Sequence, residues 1–88
     1  MPEISRFAGM IIRMFFNDIG RHNKPHVHVF FDDYNAVIGL DGELLAGNIP
    51  HKKMTIVQAW ILLREDELYT AWNNAVRNMP FEKVKPIS

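Results

Sequence analysis

The sequence predicts an α+β fold: a four-stranded antiparallel meander followed by an αα-hairpin packed on one face, with room for a short C-terminal edge strand. Two observations carry this. Apolar residues recur with period two as far as Gly47 and with a period near 3.6 from Pro50 onward. Turn chemistry at Asn17-Asp18-Ile19-Gly20, Asp32-Asp33-Tyr34-Asn35 and Asp41-Gly42 cuts the first half at strand-length intervals. The chain has 88 residues and no repeat, linker or low-complexity segment, so it reads as a single domain, 1–88.

Taken in order, Ser5 to Gly9 leads in, with Gly9 as a bend. Met10 to Phe16 is β-branched and aromatic and reads as a strand. Met10, Ile12, Met14 and Phe16 share its apolar face; Ile11, Arg13 and Phe15 share the other, which Arg13 marks as the wetter. After the loop closed by Pro25, His26 to Phe31 forms the second strand. Val27, Val29 and Phe31 point to the core side, so His26, His28 and Phe30 are expected outward. If these two strands pair antiparallel, Arg13 lies near His28 on the outer face.

Ala36 to Leu40 is the third strand. Asp41-Gly42 is the strongest short hairpin signal, expected as a type I′ turn. Glu43 to Ala46 is a short fourth strand, ended by Gly47-Asn48.

Pro50 suits the start of a helix, where its missing N–H is harmless. Met54, Val57 and Ile61 form one stripe and Ile56, Trp60 and Leu63 a second, so the first helix is expected to be sandwiched between the sheet and a second helix. The second carries Leu68, Trp72, Ala75, Val76 and Met79. One unbroken helix from Pro50 to Met79 would span about 45 Å, longer than a domain of this size. Arg64-Glu65-Asp66 is therefore the expected break, with Asp66 as cap. Phe81 to Ile87 alternates, which suits an edge strand.

Lys and Arg number 10, as do Asp and Glu, so the formal net charge is zero. A protein dedicated to duplex DNA shows a strong basic face; none stands out here, and direct duplex DNA binding is not expected, while RNA stays open. There is no cysteine, hence no disulfide framework and no thiolate zinc site. The longest apolar runs are a few residues, far short of a membrane span. Met1 to Arg6 carries an acid and no long apolar core follows, so a cytoplasmic protein without a signal peptide is expected.

The candidate site is the stretch around His26 and His28, for which three readings stand. In the first, His26 and His28 at i and i+2 of a strand ligate a divalent metal, with His22 as third ligand and Asp18 or Glu43 as carboxylates; no cofactor is otherwise expected. In the second, His26 and His28 act as base and acid on a phosphodiester while Arg13 stabilises developing charge, as a small ribonuclease would require. In the third, Ile11, Phe15, His26, His28 and Phe30 form a half-apolar outer sheet face that binds a partner, or the histidines simply pack under a loop and bond backbone groups. A chain this short buries modest surface on folding, so a homodimer or a hetero-complex with a small partner is expected. His51 reads as an exposed residue, and Trp60 and Trp72 as core.

The opening Met1-Pro2-Glu3-Ile4-Ser5-Arg6-Phe7, then Gly9, Ile12, Met14 and Asp18, then Pro25-His26-Val27-His28-Val29, resembles the bacterial family catalogued as domain of unknown function 4160. The later pattern of Gly42, Leu45, Gly47, Pro50, Val57, Trp60, Glu67-Leu68, Trp72 and Pro86 fits as well. The resemblance covers the whole chain, and Pro-His-x-His-Val is its most specific piece. Many members have a shorter loop with an Asp-His pair, whereas here Ile19-Gly20-Arg21 separates Asp18 from His22. The resemblance implies no established reaction. It implies an accessory or interaction protein encoded beside a second small protein, in toxin–antitoxin-like pairs on mobile DNA, acting through that cognate partner.

Overall fold

The computed structural model describes residues 3–15 and 24–87. Five antiparallel strands are followed by two helices: β1 (Glu3–Phe7), β2 (Met10–Arg13), β3 (His26–Phe31), β4 (Tyr34–Gly39), β5 (Leu44–Asn48), α1 (His51–Leu63) and α2 (Glu65–Val76). The sheet order is β1-β2-β3-β4-β5, a plain meander.

The fifth strand is N-terminal, not C-terminal. The sequence conceals β1 because a bulge between Glu3 and Ser5 breaks its alternation, so Ile4, Ser5 and Phe7 are all buried. The chain then reverses through Ala8 and Gly9, both at positive φ (52° and 76°), between the paired residues Phe7 and Met10. This is the two-residue type I′ geometry whose twist matches that of the flanking strands. Among the described residues the tail contains no strand, but Val84 N–H donates to Ile4 C=O at 2.7 Å and so occupies the outer side of β1.

The Asp41-Gly42 turn is where expected, but its type differs. Gly42 has φ +91° and Asp41 is not in the left-handed region. Gly42 N–H donates to Gly39 C=O and Gly39 N–H to Glu43 C=O, both at 2.8 Å. This is a three-residue loop closed by a left-handed glycine. Leu45 is the extra residue of a bulge in β5, since Val37 faces Ala46 and Ile38 faces Leu44. Two residues on, Gly47 has φ +71°, and a Cβ there would stand 2.3 Å from Asn35 O. Only glycine suits both conditions.

One core joins Met10, Ile12, Met14, Val27, Val29, Ala36 and Ile38 of the first half to Val57, Trp60 and Ile61 of α1 and Leu68, Ala71, Trp72 and Ala75 of α2. Trp60 is fully enclosed, 5.0 Å from the Phe7 ring by centroids, and its indole N–H donates to Lys85 C=O at 2.7 Å. Enclosing a side chain of that size contributes about 5 kcal/mol.

The helices break at Arg64 alone (φ −112°, ψ 21°), so Glu65, Asp66 and Glu67 form the first turn of α2, and Asp66 does not cap it. One residue is shorter than the 2–5-residue loop of an αα-hairpin; the helices meet at a corner, each reaching the sheet. A straight helix over the same residues would be about 39 Å long, beyond the molecule's greatest extent of 33 Å. Since α2 does not lie over α1, the second apolar stripe of α1 is covered only in part: Trp60 is enclosed and Ile56 packs against the core, but Leu63 is exposed, as is Leu62. Val76 and Met79, expected in the core, are exposed too, because α2 ends at Val76.

Candidate functional site

The outer sheet face is built by cross-strand pairing. Ile11 lies opposite Phe30 and Arg13 opposite His28 across β2 and β3, and His28 in turn faces Val37 on β4. Arg13 thus stands beside His28, the juxtaposition expected from an antiparallel first pair. The Phe15 ring meets the His28 ring edge-on, with centroids 4.4 Å apart. The Arg13 guanidinium carbon lies 5.5 Å from the Phe30 centroid, within the range of a cation–π attraction. Arg13 Nε is enclosed without a hydrogen-bond partner among the described residues. Ile11, Arg13, Phe15, His28 and Phe30 are all half-buried.

His26 departs from the expectation. It begins β3 in register with Gly39 and is 0% exposed. Its ring lies 5.4 Å from His28 and 5.1 Å from Trp72 by centroids. The residue that alternation sends outward is covered because α2 carries Trp72 onto it. His26 Nδ1 is 2.7 Å from Lys24 C=O. A carbonyl only accepts, so Nδ1 carries a proton in this contact. Nothing in the sequence couples residue 72 to residue 26. Trp72 reads there as core alone, so its place in the histidine cluster emerges only from the fold.

These contacts define what each group can do chemically. Fully enclosed, His26 does not reach a macromolecular surface from this position, whereas His28 stands half-buried on the outer face with Arg13 as the adjacent cation. An Nδ1 fixed on a carbonyl is how a ligating histidine is commonly oriented. His22 and Asp18, expected as further ligands, lie outside the described residues. Among the described residues no three His, Asp or Glu side chains group closely enough to hold a metal ion, and Glu43 turns instead to Lys24.

That ion cluster lies at the β4–β5 turn. Lys24 Nζ donates to Asp41 Oδ2 at 2.9 Å and also to Glu43 Oε1. Glu43 first, then Asp41, raise the Lys24 ammonium above the usual lysine range. The ammonium in turn lowers the Asp41 carboxyl below its ordinary value. All three are substantially exposed, so the cluster orients the turn more than it stabilises the fold. His51 is exposed and Trp60 and Trp72 are buried, as expected.

A family model described as Domain of unknown function (DUF4160) matches residues 9–73, a span that includes β2 to β5, α1 and most of α2. No curated protein and no solved structure matches the chain.

Proposed function

Because the chain belongs to the DUF4160 family, we propose for it the role of a small cytoplasmic interaction protein that binds a cognate protein partner through its outer sheet face. The partner is the product of a neighbouring gene, in a toxin–antitoxin-like pair of a mobile element. One observation carries the reading: Ile11, Phe15 and Phe30 stand half-buried around Arg13 and His28 on a sheet face whose β1 rim carries the Glu3–Arg6 ion pair. Aromatic and aliphatic anchors with an arginine among them are what binding surfaces favour. No helix among the described residues is long and apolar enough to cross a membrane.

Co-purification of the tagged chain from its native operon, with metal analysis of the eluate, tests this. The neighbour's product should co-elute, and Ile11→Arg with Phe30→Ser should weaken the complex at least tenfold while the circular dichroism is kept. Undiminished co-elution with that double variant would falsify the face assignment. Growth arrest on expression alone, relieved by the neighbour and lost in His28→Ala, would instead support the ribonuclease reading through His28 and Arg13. Stoichiometric metal lost together with partner binding on chelation would support ligation by His26 and His28, whose Nδ1–carbonyl contact at His26 is the observation in its favour.

A further inference from the structure

The corner where α1 meets α2 leaves two large apolar side chains in solvent. Leu62 is 74% exposed and Leu63 is 64% exposed. A hollow opens on either side of Leu62. The first, about 250 Å³, is lined by Leu40, Ile61 and Leu62 together with Asp41 and Glu65. The second, about 320 Å³, runs from Leu62 and Leu63 to Glu65, Asp66 and Glu67. Leu62 and Glu65 border both.

Two elements bring these carboxylates together. Glu65, Asp66 and Glu67 form the first turn of α2, where they also suit the positive end of that helix. Asp41 comes from the β4–β5 turn, which Gln58 ties to α1 by donating from Nε2 to Gly42 C=O at 3.1 Å. The helix end asks for neither Asp41 nor the exposed leucines. Among the described residues, the cations of this region are already engaged. Lys24 is held between Asp41 and Glu43. Arg64 Nη2 donates to Pro86 C=O at 3.0 Å, and its Nη1 stands 4.0 Å from Glu67. An acidic excess therefore surrounds the leucines.

That charge selects the occupant. A second copy related by a two-fold axis at the corner would set acid against acid. A nucleic-acid backbone and an anionic lipid surface would be repelled likewise. A neutral apolar segment would cover the leucines but strip water from the carboxylates without return. A basic segment meets both demands, since lysine and arginine lay their methylene stems along apolar surface and keep the charged head on a carboxylate.

We infer that the corner docks a basic segment of another protein, with two of its lysine or arginine side chains straddling Leu62, one in each hollow. Their stems pack on Leu62 and Leu63. One cationic head meets Asp41 and Glu65, the other the carboxylates of the first turn of α2. None of these residues belongs to the outer sheet face, so either surface can fail without the other.

A short synthetic peptide of repeating Leu-Lys-Lys, titrated into the isotopically labelled full chain, should shift the amides of Asp41, Gly42 and residues 58–67 and leave those of Ile11, His28 and Phe30 in place. Its affinity should fall as salt is raised. Leu62→Ser, at an exposed site, and Glu65→Lys, at the carboxylate both hollows share, should each weaken binding at least tenfold with the circular dichroism kept. Should Glu65→Lys fail to fold, Glu65→Gln gives the same reading with a smaller loss. The peptide with glutamate in place of every lysine should not bind. No shift at millimolar peptide, a footprint elsewhere on the chain, equal binding of the glutamate peptide, or full affinity in Leu62→Ser overturns the proposal. So does a dimer, seen by light scattering, that Leu62→Ser dissociates, since a second copy would then be the occupant.

Discussion

At the scale of single residues, His26 and His28 separate into two kinds of histidine. Both belong to Pro-His-x-His-Val, and alternation gives them one face. Yet His26 is enclosed, bonded to Lys24 C=O and packed on Trp72, while His28 is half-buried between Phe15 and Arg13. Their truncations should therefore differ. His26→Ala leaves a cavity against Trp72 and removes a buried hydrogen bond, a loss of about 2–4 kcal/mol. His28→Ala should cost about 1 kcal/mol. Urea unfolding of the two variants reads the difference, and equal losses would contradict the burial described. An outward pair of rings, removable together for about 1 kcal/mol, is what the sequence leads one to expect, and the fold corrects it. The juxtaposition of Arg13 and His28 was legible because it follows from two alternating strands joined antiparallel. The burial of His26 was not, because the covering Trp72 lies 46 positions further along the chain.

At the scale of elements, turns decide what each strand can do. The first hairpin turns on Ala8, an L-residue at φ 52° where the type I′ turn favours asparagine. Holding alanine there costs about 1 kcal/mol, so Ala8→Asn should raise stability by about 0.5–1 kcal/mol, seen as a higher thermal midpoint. Two glycines make a contrasting pair. Gly42→Ala enters open space at φ +91° and should lose about 1 kcal/mol. Gly47→Ala meets Asn35 O as well as a positive φ, and should lose about 3 kcal/mol or more. Similar losses at both sites would show that crowding at Gly47 is relieved cheaply. The place of the Asp41-Gly42 turn was plain in the residues, since those types favour turns in any context. Its hydrogen-bond pattern was not, because the loop length depends on where β4 and β5 pair. The bulge hid β1 for a related reason: one extra residue moves the following side chains to the other face, and period two is lost over only five residues.

At the scale of the molecule, the tail acts as the last piece of the sheet. It places buried Val84 against Ile4 and presents Lys85 C=O to the indole of Trp60 and Pro86 C=O to Arg64. Ending the chain after Phe81 should therefore lower stability by about 3 kcal/mol, from lost apolar burial and an indole left without its acceptor. It should also bare the β1 edge, so light scattering should detect aggregates that the full chain does not form. A shortened chain that unfolds at the same urea concentration would show the tail to be a passive strap. The sequence by itself determined the α+β class, the switch of period near Gly47–Pro50, the His26–Phe31 strand with the turn that follows it, and the pairing of Arg13 with His28. All of these depend on neighbours a few residues apart or on one loop. The tertiary structure alone decided the corner at Arg64, the exposure of Leu62 and Leu63, the enclosure of His26, and which sheet edge is covered. Each of those is a question of burial, and burial depends on segments far apart in the chain that only the assembled fold brings into contact.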